Sequence, residues 1–147
     1  MNKILLMHGP NLNFLGKRNP AQYGNLTLKQ LETLVIAEAQ KFSYEVITFQ
    51  SNHEGSLIDT LQLESQHCVG VIINPGALSH YSYALHDALL DTQLPAVEVH
   101  LSNIKQRESW RAHSVTAPAC IAAIWGKKEK GYIEAVNLLL EYIQNGH

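Results

Sequence analysis

The chain has 147 residues, a length that suits one domain, and its formal net charge at pH 7 is −2. Charged residues make up 16% of the sequence, so the composition does not indicate a nucleic-acid partner. The first apolar run, residues 4–7, is too short for a signal peptide or a membrane span. Cys68 and Cys120 lack metal-ligand spacing, which favours reduced thiols. We therefore expect one soluble cytoplasmic domain over residues 1–147, without a nucleic-acid or membrane partner.

Short apolar runs predict five β-strands, at residues 4–7, 46–49, 69–73, 96–99 and 121–125. Because the runs are continuous rather than alternating, we expect helices to cover both faces of the sheet. Four helical patterns separate or follow the runs, and Thr27 is the expected N-cap of the first. Their apolar positions are Leu28, Leu31, Val35 and Phe42; Leu57, Ile58 and Leu61; Tyr83, Ala84, Leu85, Ala88 and Leu89; and Ile133, Val136, Leu139, Leu140 and Ile143.

The alternation of strands and helices predicts a parallel sheet with right-handed crossovers. We predict an α/β fold with a flavodoxin-like, doubly wound, five-stranded parallel sheet of order 2-1-3-4-5. Loops rich in Asn, Ser and His follow three of the strands, at residues 8–13, 74–80 and 100–103. In such folds ligands bind outside the carboxyl ends of the strands, so these loops are expected to meet at one rim. The first of these loops continues as a long segment to Asn25. It exceeds the usual length of a strand-to-helix loop and is long enough for a functional lid, which we expect at about residues 16–25.

Two pairs of residues in these regions indicate proton transfer. Arg18 and Tyr23 share the expected lid, and a guanidinium near a phenol oxygen favours the phenolate, which is a base. Glu98 and His100 lie on the same face of the fourth strand. A carboxylate beside an imidazole favours the protonated ring and fixes its tautomer, which suits the ring to donate a proton.

Other interpretations of these residues remain open. Arg18 could face solvent while Tyr23 packs, and Glu98 and His100 could form an ordinary polar strand end. A metal site with His80 and His86 as further ligands is another alternative, but neither H-x-x-x-H nor C-x-x-C occurs. The G-x-S-x-G, G-x-G-x-x-G and P-loop motifs are also missing. We therefore expect a site without metal or other cofactor.

Five segments resemble the type II 3-dehydroquinate dehydratases, and they follow the order and spacing of that family. The segments are residues 9–13 (Gly-Pro-Asn-Leu-Asn), 49–55 (Phe-Gln-Ser-Asn-x-Glu-Gly), 74–77 (Asn-Pro-Gly-Ala), 98–103 (Glu-Val-His-x-Ser-Asn) and 107–114 (Arg-Glu-x-x-Arg-x-His-Ser). Each is modest alone, but the five together are specific, and the similarity continues to Gly131 and Tyr132.

The resemblance implies that the protein dehydrates 3-dehydroquinate to 3-dehydroshikimate through an enolate, in the shikimate pathway or in quinate breakdown. It implies Tyr23 as the general base, with Arg18 stabilising its phenolate, and His100 as the acid that protonates the leaving hydroxyl. Glu98 would orient His100. The remaining implied residues are Asn11 for the enolate through a bound water, the backbone amides of Leu101 and Ser102 for the substrate carboxylate, and Asn74, His80 and Arg111 for the ring hydroxyls. The role of Arg107 stays open.

The resemblance also implies a homo-oligomer, a dodecamer built from trimers, in which Asp87 reaches the site of a neighbouring subunit. The sequence departs from the family pattern at His86, Asn19 and Lys105, which bear on the subunit contact and the lid. An alternative function from a different class is a flavodoxin-like module that binds a small molecule without chemistry. Such a module would keep the three loops but would need no mobile Arg–Tyr lid.

Overall fold

In the computed structural model, which describes residues 1–146, five parallel strands form one sheet. The strands are β1 (Lys3–His8), β2 (Glu45–Gln50), β3 (Gly70–Asn74), β4 (Ala96–His100) and β5 (Ala122–Trp125). Their order is β2-β1-β3-β4-β5, and every neighbouring pair is parallel. The predicted flavodoxin-like α/β fold and its strand order are therefore confirmed.

The part of the chain that the structure describes forms five α-helices: α1 (Pro20–Tyr23), α2 (Leu28–Gln40), α3 (Glu54–Glu64), α4 (Tyr83–Asp91) and α5 (Glu129–Gln144). The last four cover both faces of the sheet, as the continuous apolar strands predict. Successive residues of β1 point to opposite faces, so Ile4 and Leu6 join the core with α2 and α5, whereas Leu5 and Met7 join the core with α3 and α4. No helix within residues 1–146 is long and apolar enough to cross a membrane.

Helix α2 begins where the sequence indicates but ends earlier. Thr27 forms a capping box: its hydroxyl accepts from the Gln30 backbone N–H at 3.2 Å, and Gln30 Oε1 accepts from the Thr27 N–H at 3.0 Å. The helix ends at Gln40, so the prediction that Phe42 belongs to it is wrong. The chain turns at Ser43, which has a φ of 65°, and Phe42 packs against the core from this turn. The spacing of Phe42 from the apolar residues of α2 therefore arises because its side chain is buried, and not because the residue is helical.

The expected lid contains one turn of helix that the sequence interpretation did not include. In α1, Asn19 is the N-cap, and its Oδ1 accepts from the Ala21 N–H at 3.0 Å. Pro20 occupies the first helical position, where its missing N–H costs nothing. Tyr23 is the last residue of the turn, and Gly24 follows with a φ of 78°. The unusual residue Asn19 therefore retains a capping function and helps to hold Tyr23 in place.

Candidate active site

A cleft opens at the carboxyl ends of β1, β3 and β4, and it contains about 520 Å³ of space, part of it open to solvent. The lid, the three polar loops and the segment of residues 104–111 line it. All of the predicted site residues line this cleft except Glu98 and Asp87. The residues that the structure brings together there are Asn11, Arg18, Tyr23, Asn74, His80, His100, Leu101, Ser102 and Arg111, together with Arg107.

Two loops approach each other closely at the floor of the cleft, and glycines permit the approach. A Cβ atom at Gly9 would lie 2.4 Å from the carbonyl oxygen of Pro75, and one at Gly76 would lie 2.9 Å from that of Pro10. Asn11 follows with a φ of 72°, a left-handed conformation that asparagine tolerates better than most residues. This backbone geometry sets Asn11 at the edge of the cleft.

The phenol of Tyr23 lies between two guanidinium groups. Arg107 Nη1 donates to the Tyr23 oxygen at 2.7 Å and to Ser102 Oγ at 3.2 Å. The guanidinium carbon of Arg18 is 3.6 Å from the centroid of the Tyr23 ring, so Arg18 stacks on the ring face. Burial lowers the pKa of Arg18, and attraction to Tyr23 opposes that shift. Arg107 therefore makes the short hydrogen bond to the phenol oxygen, a role that could not be predicted from the sequence. Arg18 contacts the ring face, and a weaker side-chain hydrogen bond to Tyr23 also opposes the lowering of the Arg18 pKa.

His100 is held by a buried carboxylate. Its Nε2 lies 2.8 Å from Oε2 of Glu98, which is fully buried at the centre of β4. Ser114 donates to Glu98 Oε2 at 2.7 Å, and the Thr116 hydroxyl donates to Oε1. Burial alone raises the pKa of Glu98, but hydrogen bonds from His100, Thr116 and Ser114 outweigh it and hold the pKa below its usual value. Glu98 is therefore ionised beside His100 and fixes the orientation of its ring.

His80 is oriented as a neutral hydrogen-bond acceptor. Its Nδ1 lies 2.8 Å from the carbonyl oxygen of His113, so Nδ1 carries the proton and Nε2 is left to accept. Burial lowers the pKa of His80, which keeps the ring neutral at pH 7. Its centroid is 6.5 Å from that of His100 in a stacked arrangement, and 5.3 Å from that of Trp110.

Arg111 is fixed by its own segment. Its Nε donates to Glu108 Oε2 at 2.8 Å, and its guanidinium carbon is 4.0 Å from the centroid of a Trp110 ring. Arg111 also lines the cleft, where N–H groups that these two partners do not use can donate to a ligand. This geometry suits Arg111 to bind a hydroxyl or carboxylate oxygen.

Asp87 does not belong to the cleft of its own chain. It is on α4, outside the cleft lining, and the exposed side chains of Tyr83 and Leu90 lie on the same helix. The neighbouring His86 points inward, and its Nδ1 donates to the carbonyl oxygen of Val115 at 2.7 Å. The unusual His86 therefore ties α4 to the segment that carries Ser114. The third unusual residue, Lys105, places its Nζ 4.1 Å from the centroid of the Trp125 ring, outside the cleft.

Comparison with known proteins agrees with this geometry. Residues 2–140 match the family model described as dehydroquinase class II. The chain belongs to this family. It is 49% identical over 140 residues to the 3-dehydroquinate dehydratase of Bacillus pumilus, covering 95% of each chain. The crystal structure of type II dehydroquinase from Butyrivibrio crossotus superposes with a TM-score of 0.91 at 44% identity, covering 95% of this chain and 97% of that one.

A further class II dehydroquinase structure shows that the fold tolerates wide sequence change. The crystal structure from Propionibacterium acnes gives the same TM-score, 0.91, at 35% identity, covering 96% of this chain and 97% of that one.

Within residues 1–146 of the present chain, no group of three or more His, Cys, Asp or Glu side chains is arranged to hold a metal ion.

Sequence interpretation missed several of the contacts that hold the side chains of this cleft. Arg107 was recognised only as a member of a motif, and its partner Tyr23 lies 84 residues away. Ser114 and Thr116, which hold Glu98, are small hydroxyl residues without periodic spacing. A weak signal for Arg107 existed in the sequence, because the chain has only three arginines and all three fall on positions that match the family. In the structure all three line the cleft.

Proposed function

We propose that this chain is a type II 3-dehydroquinate dehydratase that converts 3-dehydroquinate to 3-dehydroshikimate through an enolate. The observation that carries the proposal is the pairing, in one cleft, of a tyrosine held by two guanidiniums with a histidine held by an ionised carboxylate. One group is prepared to accept a proton and the other to donate one, which is what a stepwise elimination of water needs.

The reaction uses Tyr23 first. As a phenolate, it takes the proton next to the ketone, and the electron pair of that C–H bond moves to the carbonyl to form the enolate. The positive charges of Arg18 and Arg107 favour the phenolate before the transfer. Asn11, acting through a bound water, stabilises the negative charge that develops on the enolate oxygen.

His100 acts in the second step. The enolate collapses, the bond to the leaving hydroxyl breaks, and His100 donates the proton that turns the hydroxyl into water. Glu98 orients the ring and favours its protonated form. The net products are the conjugated enone and one water, and the proton taken by Tyr23 must return to His100 through solvent before the next cycle.

Substrate binding uses groups on three sides of the cleft. The backbone N–H groups of Leu101 and Ser102, at the end of β4, bind the substrate carboxylate. Asn74, His80 and Arg111 bind the ring hydroxyls, with Asn74 and Arg111 as donors and His80 Nε2 as an acceptor. The fixed orientations of these side chains support this assignment, because preorganised groups lose little freedom on binding.

The function is tested by mixing the purified protein with 3-dehydroquinate and following the absorbance of the enone. We expect turnover that survives exhaustive EDTA treatment, and no lysine adduct after borohydride is added with substrate, since the mechanism needs neither metal nor Schiff base. A non-catalytic binding module would bind the compound without any increase in absorbance. Loss of activity on EDTA treatment that zinc restores would contradict the mechanism.

The two arginines at Tyr23 should differ in their effects. We expect Arg107→Ala to lower kcat by about 10–100-fold, because a charge-assisted hydrogen bond to the phenol oxygen is lost. Arg18→Ala should lower kcat less, by about 3–10-fold, since it removes a contact with the ring face. Arg107→Lys, which keeps the charge, is the matched control and should lower kcat less than Arg107→Ala.

A larger loss of kcat in Arg18→Ala than in Arg107→Ala would contradict this assignment and would make Arg18 the main partner of Tyr23. Circular dichroism and melting temperature of each variant separate loss of chemistry from loss of fold.

We also propose that the active enzyme is a homo-oligomer, a dodecamer built from trimers, in which Asp87 completes the site of a neighbouring subunit. In support, Asp87 lies outside its own cleft and is accompanied on α4 by the exposed apolar residues Tyr83 and Leu90. A carboxylate beside exposed aromatic and aliphatic side chains suits a subunit contact better than open solvent.

Subunit complementation tests this arrangement. Tyr23→Phe and Asp87→Ala are each purified and then refolded together. A site with Tyr23 from one chain and Asp87 from its neighbour forms in about one quarter of positions under random assembly, so activity should rise above that of either parent. Co-refolding each variant with itself is the control. Absence of any gain, with oligomers of the expected size, would place the action of Asp87 within its own chain.

We propose a cytoplasmic location for the enzyme. Cys68 and Cys120 are free thiols. Burial raises the pKa of both, that of Cys120 to about 12, so both stay protonated and poorly reactive. Unpaired thiols of this kind suit a reducing compartment.

A further inference from the structure

The phenol group of Tyr132 contacts a residue of the cleft wall from within the protein core. It lies in the first turn of α5 and is fully buried. Its oxygen accepts a hydrogen bond from Asn74 Nδ2 at 3.1 Å. Asn74 is the last residue of β3 and lines the cleft, whereas Tyr132 does not. The phenol therefore touches a site residue without reaching the ligand space itself.

The contacts of Asn74 fix which end of its amide faces the cleft. Its Oδ1 accepts from the backbone N–H of Gly76 at 3.0 Å, and one Nδ2 hydrogen goes to Tyr132. A reversed amide would set two donors against each other at Gly76. In the orientation that Gly76 fixes, the Tyr132 oxygen is the acceptor for Nδ2. The second Nδ2 hydrogen has no partner within residues 1–146. The side chain thus has one N–H donor left for a ligand in the cleft that Asn74 lines.

Tyr132 keeps this contact across the pH range in which an enzyme works. Burial raises the pKa of Tyr132, and the hydrogen bond from Asn74 opposes the rise only in part. The phenol stays neutral and does not exchange a proton with the substrate. Its contribution is a fixed oxygen that accepts from Asn74, which is a different role from that of Tyr23.

We propose that Tyr132 is a positioning residue that makes Asn74 select for an oxygen acceptor on the substrate. Through the phenol oxygen, the amide is held with its free N–H towards the cleft. A hydroxyl or carbonyl oxygen at that place binds, and a group that only donates is disfavoured because it meets another donor. The inference rests on the proposed function, in which Asn74 binds a ring hydroxyl of the substrate.

The variant Tyr132→Phe tests this role because it removes only the hydroxyl from a buried ring. We expect KM for 3-dehydroquinate to rise about tenfold and kcat to change less than about threefold, because a contact with a non-reacting hydroxyl is equally strong in the ground and transition states. Tyr44→Phe is the matched control. Tyr44 is also buried but lies outside the cleft, before β2, so its variant should keep the wild-type KM.

The route through Asn74 is tested with a double-mutant cycle. In an Asn74→Ala background, Tyr132→Phe should cause no further rise in KM, because the residue through which it acts is gone. A merely structural effect would lower the melting temperature and would add to the Asn74→Ala effect. A KM within about twofold of wild type in Tyr132→Phe, or additive effects in the double variant, would overturn the proposal.

Crystal structures of the wild type and of Tyr132→Phe provide a readout that does not depend on turnover. We expect the Asn74 amide in Tyr132→Phe to turn away from its wild-type orientation, since its Nδ2 has lost an acceptor. An unchanged amide orientation would refute the positioning role. An inactive wild-type protein would instead refute the proposed function, while the amide orientation would still decide the role of Tyr132.

Discussion

Replacing Tyr23 by phenylalanine is expected to lower kcat by about 10²–10⁴ while KM changes little. The substitution removes the only proton acceptor that the mechanism places at the C–H bond and leaves the ring in position. The ring remains stacked against Arg18, whose guanidinium carbon lies 3.6 Å from its centroid. Lid geometry should therefore survive, and the loss should fall on the chemical step.

The measurement is steady-state turnover of 3-dehydroquinate, combined with a second assay in D₂O. The second assay follows the exchange for deuterium of the substrate proton next to the ketone, the α-proton. Tyr23→Phe should lose both, because both need abstraction of the same proton. Tyr44→Phe, which also removes a phenol hydroxyl but lies outside the cleft, should keep both. Near wild-type kcat in Tyr23→Phe would show that another group is the base.

The fold could be predicted from sequence because its determining signals are local. Continuous apolar runs predict strands with two covered faces, and the observed strands, such as β1 at Lys3–His8, lie within a residue or two of the predicted runs. The capping box at Thr27 is also a local pattern. Phe42 was assigned to the helix because a buried turn residue and a helical residue can share the same spacing. Only tertiary packing distinguishes the two.

The site could be predicted only in outline. Since the carboxyl ends of parallel strands meet at one edge, the convergence of Asn74, His100 and Asn11 follows from chain order alone. The contact between Arg107 and Tyr23 depends on how two irregular segments fold back over the cleft, and no periodicity encodes it. The same holds for Thr116, whose hydroxyl reaches Glu98 from a loop between β4 and β5.

Removing the imidazole of His100 should have an effect of similar size but of a different kind. In His100→Ala, kcat for dehydration is expected to fall by about 10²–10⁴, because the leaving hydroxyl would have to depart without a proton. In the proposed mechanism, formation of the enolate by Tyr23 does not use His100. Exchange of the α-proton for deuterium should therefore continue while water loss stops, which separates the two steps of the reaction.

The buried partner of His100 extends this prediction to a second variant. Burial raises the pKa of Glu98, but hydrogen bonds from His100, Thr116 and Ser114 hold it below its usual value, so the carboxylate stays ionised. Glu98→Gln removes the charge but keeps the size of the side chain. The imidazole then loses its ionised partner, so kcat for dehydration should fall. Exchange of the proton next to the ketone should keep its wild-type rate. If both variants lost exchange and dehydration together, His100 and Glu98 would act before the enolate forms, and the proposed order of proton transfers would be wrong.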